Sequence, residues 1–192
     1  MNPRILTLGH SNRPLEDFLA LLKRHGVACL ADVRTLPRSR FNPQFNQDRL
    51  AAALELAGIE YRHVPALGGL RRARPDSPHR GLEDDALRGF ADHMDTPEFE
   101  AALAGVLELT ATRSVAMMCA EAAPEHCHRS LIADALVARV VTVRHILDDA
   151  APRDHTLTRF ARVEGCRVSY PDAAPELPGL ESGLRGRSGR QN

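Results

Sequence analysis

Short apolar runs and amphipathic stretches of helical length alternate through the first 150 residues, a pattern that few folds accommodate. Ile5 to Leu8 is the first strand-like run, ending at Gly9-His10-Ser11. Leu15, Phe18, Leu19 and Leu22 recur at helical spacing, with Pro14 near the helix start, Glu16 and Asp17 in its first turn and Gly26 as its stop. Val27 to Val33 is apolar until Asp32, as suits a strand covered on both faces. After a polar loop, Leu50, Ala53, Leu54 and Ala57 mark a second helix closed by Gly58, and Ile59 to Val64 a third strand. Ala86, Phe90 and Met94 indicate another helix, and Thr96-Pro97-Glu98 the cap and first turn of the next. Val115 to Met118 is a fourth strand ending at Cys119, Leu131 to Leu136 a helix, and Val140 to Ile146 a fifth strand.

The order β-α-β-α-β-α-α-β-α-β predicts a single three-layer α/β domain, with a mostly parallel sheet of about five strands and helices on both faces. Right-handed crossovers place every strand's C-terminal end on one edge, where such sheets bind ligands near a switch in strand order. From about Ala151 Pro, Gly and Arg thicken, and Val163 to Tyr170 reads as a short strand or a hairpin around Gly165. The α/β domain is expected over 1–172 and a disordered tail over 173–192.

Composition limits the partners. There are 25 basic and 25 acidic residues, and Lys23 is the only lysine. The balance is uneven: residues 1–80 hold 13 basic and 7 acidic residues, whereas 81–110 hold 1 and 8. Overall neutrality therefore conceals a basic first 80 residues and an acidic stretch over 81–110, so a local site for a phosphate or nucleic acid is not excluded by net charge. No Trp and only two Tyr leave few platforms for stacking bases. No apolar run is long enough to span a bilayer, and Met1-Asn2-Pro3-Arg4 does not read as a leader, so no membrane partner and a cytoplasmic location are expected. Four cysteines, at 29, 119, 127 and 166, are too few and scattered for a disulfide framework.

Residues at the expected strand ends carry the chemistry: His10 and Ser11, Asp32 and Arg34, Tyr61 and His63, Cys119 and Glu121. The stretch from Cys119 to Ser130 also holds His126, Cys127, His128 and Arg129, the densest ionisable run in the chain. Cys127, at or just before a helix start and beside His128 and Arg129, fits a thiol of lowered pKa. His128 is the histidine best placed for acid–base work. Arg34, Arg38 and Arg129 are expected at one sheet edge, where guanidinium groups grip phosphate or carboxylate in bidentate fashion. His10 could act as a base or an anion contact, while Ser11 or Asn12 could instead cap the first helix. His25 and His93 read as surface helix residues, His145 as a satisfied sheet histidine and Cys29 as core.

Taken together, Gly9-His10-Ser11, Asp32-Val33-Arg34 with Pro37-Arg38-Ser39, Leu67-Gly68-Gly69, and Cys119-Ala120-Glu121 followed by Cys127-His128-Arg129 resemble the bacterial and archaeal family called domain of unknown function 488. The resemblance extends over roughly residues 5–172, through His155, Arg159-Phe160 and Tyr170-Pro171. It implies a compact α/β fold and notable cysteines in the Cys…Cys-His-Arg segment, and brings no established reaction. The chain departs from the family pattern at Ala122 and Ala123, where polar residues are expected, and at Ala138-Arg139, where a glycine is expected before the last strand.

Three functions compete. The first is binding of a phosphate-containing ligand, a nucleotide or a nucleic-acid end. Here His10, Ser11, Asp32, Arg34, Arg38 and Arg129 form the binding site, and Cys127, His128 and Glu121 carry any thiol or acid–base chemistry. The second is a thiol-redox or metal-binding module using Cys119 and Cys127, although seven intervening residues match neither a Cys-x-x-Cys motif nor a zinc knuckle. A variant of the metal idea joins Asp32 and Glu121 on Mg²⁺. The third is a non-enzymatic interaction domain whose basic 34–80 loops dock on an acidic partner or nucleic acid. The sequence does not identify a cofactor. The bland alternative is that Asp32, Glu121 and the arginines form an ion network closing the sheet edge.

Overall fold

The computed structural model describes residues 3–172; the tail expected over 173–192 lies outside the described residues. Five parallel strands and one short antiparallel edge strand form the sheet. They are β1 (Arg4–Gly9), β2 (Cys29–Asp32), β3 (Glu60–His63), β4 (Val115–Cys119), β5 (Thr142–His145) and β6 (Arg153–Asp154). Their order across the sheet is β3-β2-β4-β1-β5-β6. Five helices, α1 (Leu15–Arg24), α2 (Gln47–Leu56), α3 (Asp85–Met94), α4 (Pro97–Leu109) and α5 (His128–Val137), connect them. The expected hairpin is present as β7 (Arg162–Glu164) and β8 (Arg167–Ser169), turning at Gly165 with φ +61°.

Strand periodicity sorts side chains into two cores. Leu6, Leu8, Leu30, Ala116 and Met118 face α1 and α2, packing on Phe18, Leu22, Leu50 and Leu54. Ile5, Cys29, Ala31, Val115, Met117 and Cys119 face α3, α4 and α5, packing on Phe90, Phe99, Leu103 and Leu131. The domain therefore has the three-layer α/β architecture that the alternation predicts. Strand β4 lies between β1 and β2, whose following helices cover one face, while its own continuation into α5 covers the other. That divergence opens a crevice at the C-terminal end of β4.

Three helix ends follow local chemistry and the start of α1 does not. Thr96 caps α4 as expected, accepting from the Phe99 amide at 3.3 Å, and Gly26 and Gly58 take left-handed backbone after α1 and α2. Neither Ser11 nor Asn12 caps α1: its N-cap is Pro14, and Ser11 itself has φ +49°. The Ser11 amide instead donates to the Ala120 carbonyl, so the β1 loop is tied to the β4 loop rather than to its own helix. His93 is buried rather than on the surface, because α3 lies under the loop after β3 and its Nε2 meets the Ala66 carbonyl at 2.7 Å.

Candidate functional site

A cleft of about 560 Å³ opens at the C-terminal ends of β1, β2 and β4. The loops after those strands line it with His10, Ser11, Arg34, Arg38, Cys119 and Glu121. The start of α5 adds Cys127 and His128, the loop after β3 adds Gly69, and α3 closes the far wall with Asp84 and Leu87. Of the residues singled out at the strand ends and around Cys127, Asp32, Tyr61, His63 and Arg129 do not line it; Asp32 and Arg129 are fully buried behind it.

Cys127 occupies the N-cap position of α5, where unpaired helix amides favour negative charge. Its Sγ lies 2.7 Å from Cys119 Sγ and 3.6 Å from His128 Nδ1. His128 Nε2 meets the Val33 carbonyl at 3.1 Å, and a carbonyl can only accept, so Nε2 carries a proton and Nδ1 is left facing the thiol. The ring is clamped from both sides. Phe90 lies 5.1 Å away centroid to centroid, and a methyl group at Gly69 would run into the imidazole. Leu67-Gly68-Gly69 is therefore a close-packing loop against His128, which the sequence pattern alone reads only as flexible or tightly turning.

The Cys119 hydrogen bond, the adjacent His128 and the Arg129 charge push the Cys127 thiol down despite its burial. Burial and the same hydrogen bond push Cys119 up. One sulfur thus holds the proton and the other the charge. Cys119 accepts from Arg129 Nη1 at 2.8 Å, which transmits the guanidinium's field to the pair.

Arg129 is the largest fully enclosed side chain. Its guanidinium donates to the carbonyls of Leu8 (2.7 Å), Glu121 (3.1 Å) and Ala122 (3.2 Å), so it does not reach into the cleft. It pins the 120–126 loop over the end of β1, and only glycine fits beneath, since a side chain at Gly9 would collide with the Glu121 carbonyl. The alanines at 122 and 123 leave the loop backbone to supply these acceptors.

Arg34 is committed as well. Its Nε and Nη2 donate to the two Asp32 oxygens at 2.8 and 2.6 Å, Nη2 donates also to the Phe45 carbonyl, and Nη1 donates to His10 Nε2 at 3.2 Å. Tyr61 donates its hydroxyl to the same carboxylate at 2.8 Å. Both Asp32 oxygens are thereby occupied, which removes Asp32 from a shared Mg²⁺ site with Glu121. His10 donates from Nδ1 to the Ser11 carbonyl and stacks on Phe45 at 4.2 Å. Burial first, and the Arg34 charge with it, lower its pKa to about 4, so it is a neutral acceptor. Arg38 differs from the other two arginines: it is exposed on the cleft wall and has no ion-pair partner among the described residues. Glu121, also exposed, directs its backbone rather than its carboxylate into the Arg129 network. Among the described residues, no three His, Cys, Asp or Glu side chains gather as a metal site.

Sequence reasoning missed a second polar cluster. Hydrogen bonds join Thr7 Oγ1 to His145 Nδ1 (2.7 Å) and His145 Nε2 to His155 Nδ1 (2.9 Å). His155 Nε2 then donates to Asp134 (2.7 Å), which also accepts from the Tyr170 hydroxyl at 2.8 Å. His145 is indeed a satisfied sheet histidine, but its partners come from 10 to 138 positions away, a distance no local pattern encodes.

Fold and cleft together define a doubly wound α/β protein with a buried cysteine pair at the C-terminal edge of its parallel strands. The chain belongs to the family described as Domain of unknown function DUF488, which matches residues 14–136. That span contains Asp32-Val33-Arg34, Leu67-Gly68-Gly69 and the whole Cys119 to Arg129 segment; Gly9-His10-Ser11 and Tyr170-Pro171 fall outside it. No curated protein and no solved structure matches the chain significantly. No helix among the described residues is long and apolar enough to cross a membrane.

Proposed function

We propose that the cleft takes a phosphate-bearing small molecule or nucleic-acid end and that Cys127 is the nucleophile that acts on it. The observation that carries this reading is the position of Cys127 Sγ, at the cleft floor, on a helix N-terminus and within reach of His128 Nδ1. In this reading His128 receives the thiol proton at Nδ1 while its Nε2 stays tied to Val33, giving a thiolate–imidazolium pair. Arg38 is the cation open to the ligand's anionic group. Arg34 and Arg129 are positioning residues: one braces His10 against Asp32, the other holds the cysteine loop. Glu121, at the rim, is the free carboxylate for proton transfer to a leaving group.

The test uses the full chain and two readouts. Iodoacetamide should alkylate Cys127 faster than the exposed Cys166, and the advantage should persist as pH falls below neutrality, where an ordinary thiol is protonated. Inorganic phosphate, mononucleotides and short 5′-phosphorylated oligonucleotides should raise the melting temperature, and Arg38→Ala should remove that shift while leaving alkylation intact. A panel without any stabilising member overturns the ligand reading, and Cys127 reacting no faster than Cys166 overturns the nucleophile reading.

A further inference from the structure

The cysteine pair holds a second thiol that nucleophilic chemistry at Cys127 does not need. Cys119 ends β4, Cys127 begins α5, and the intervening loop folds back so that the two sulfurs are 2.7 Å apart. Three features hold the loop in that fold: the Arg129 donors to Glu121, Ala122 and Cys119, the bare Gly9 surface under it, and the amide of Ser11 bonded to Ala120. Bringing the sulfurs together therefore requires no rearrangement of the backbone. The remaining cysteines are placed differently: Cys29 lies wholly inside β2, and Cys166 is exposed in the hairpin.

We propose that Cys119 is the resolving thiol for Cys127 and that the two form a reversible disulfide when a hydroperoxide enters the cleft. The proposal rests on Cys127 being the reactive thiol. The Cys127 thiolate attacks the terminal peroxide oxygen, forming an S–O bond as the O–O bond breaks. The departing alkoxide or hydroxide takes the proton held at His128 Nδ1. Sulfur is oxidised by two electrons and the peroxide is reduced to an alcohol or water. Cys119 sulfur then attacks the Cys127 sulfenic sulfur; the S–S bond forms, the S–O bond breaks, and hydroxide leaves with the Cys119 proton as water. Two equivalents of a small thiol, or one dithiol, restore both thiols by exchange. While the disulfide lasts, Cys127 has no thiolate to offer, and the cleft is inactive without any change of fold.

Both cysteines fall on one tryptic peptide, 114–129, bounded by Arg113 and Arg129. The full chain carrying Cys166→Ser, treated with stoichiometric hydrogen peroxide, should yield this peptide lighter by two hydrogens and resistant to iodoacetamide. Dithiothreitol should reverse both effects. In Cys119→Ser or Cys119→Ala, the same treatment should leave Cys127 as a sulfenic acid that dimedone traps, with no mass loss; in Cys127→Ser neither product should form. Rapid alkylation of Cys127 before treatment, followed by oxidation to sulfinic acid with Cys119 still alkylatable, overturns the disulfide proposal and leaves the nucleophile reading standing. Slow alkylation of Cys127 removes the nucleophile reading and the disulfide proposal with it.

Discussion

Arg129 shows how far a residue's role can depart from the one its type implies. An arginine next to a cysteine and a histidine at a helix start reads as an anion-binding group, yet the guanidinium is wholly enclosed and spends its donors on carbonyls and on Cys119. Nothing local distinguishes the two roles, because burial is decided by the loop that folds over it. Replacing Arg129 with Met, which fills similar space, takes a donor away from each of the Leu8, Glu121 and Ala122 carbonyls. The expected loss is about 1–3 kcal/mol in urea unfolding, the cost of buried carbonyls short of a donor. Cys127 alkylation should slow in the same variant, through loss of the charge beside Cys119. Arg38 differs from Arg129, since its loop leaves it exposed on the cleft wall.

At the scale of elements, three helices run into strands through a left-handed residue. Gly26 after α1 and Gly58 after α2 take it at φ +64° and +73°, whereas Val140 after α5 takes it at φ +61°. A β-branched residue there costs about 1–2 kcal/mol relative to glycine. Val140 is 69 % exposed, so little packing offsets that cost. Val140→Gly should therefore stabilise the protein by about 1 kcal/mol, raising Tm by roughly 2–4 °C in calorimetry. The strands and helices were legible because their periodicity is local: the β4 end at Cys119, the α3 stripe through Phe90 and the Thr96 cap all stand where the pattern places them. The α1 start was not, since Ser11 is drawn away by the Ala120 carbonyl, a contact across 109 positions. The two-residue β6 was also unread, having too few residues for any period.

For the whole molecule, buried histidines set the response to acid. His10 and His145 are both lowered to about 4, chiefly by burial, with Arg34 pressing on His10 and His155 and Arg129 on His145. Above the ordinary value of 6.5 both states hold neutral imidazole and nothing titrates. Between 6.5 and about 4 the unfolded chain binds protons that the folded chain refuses, so stability falls with pH and levels off below about 4. Each histidine contributes up to about 3 kcal/mol to that fall. Urea midpoints at pH 7.5 and 5 should show it, and His10→Asn with His145→Asn should narrow the difference even if both midpoints drop, the remainder coming from His79 and His93, which burial also pushes down. His145 belongs to the cluster that ends at Asp134 and Tyr170, so acid also weakens the hold on the late segment. The sequence by itself determined the layers, the strand ends and the set of chemical groups at one edge, because alternation and period act between near neighbours. Only the tertiary structure decided which groups are open and which are spent. Burial, the His10 and Tyr61 bonds to the Asp32–Arg34 pair, the Leu8–Arg129 and Ser11–Ala120 bonds around the cysteine loop, and the glycine surfaces under His128 and that loop are all set by segments distant in the chain, and the packing that joins them leaves no periodic trace.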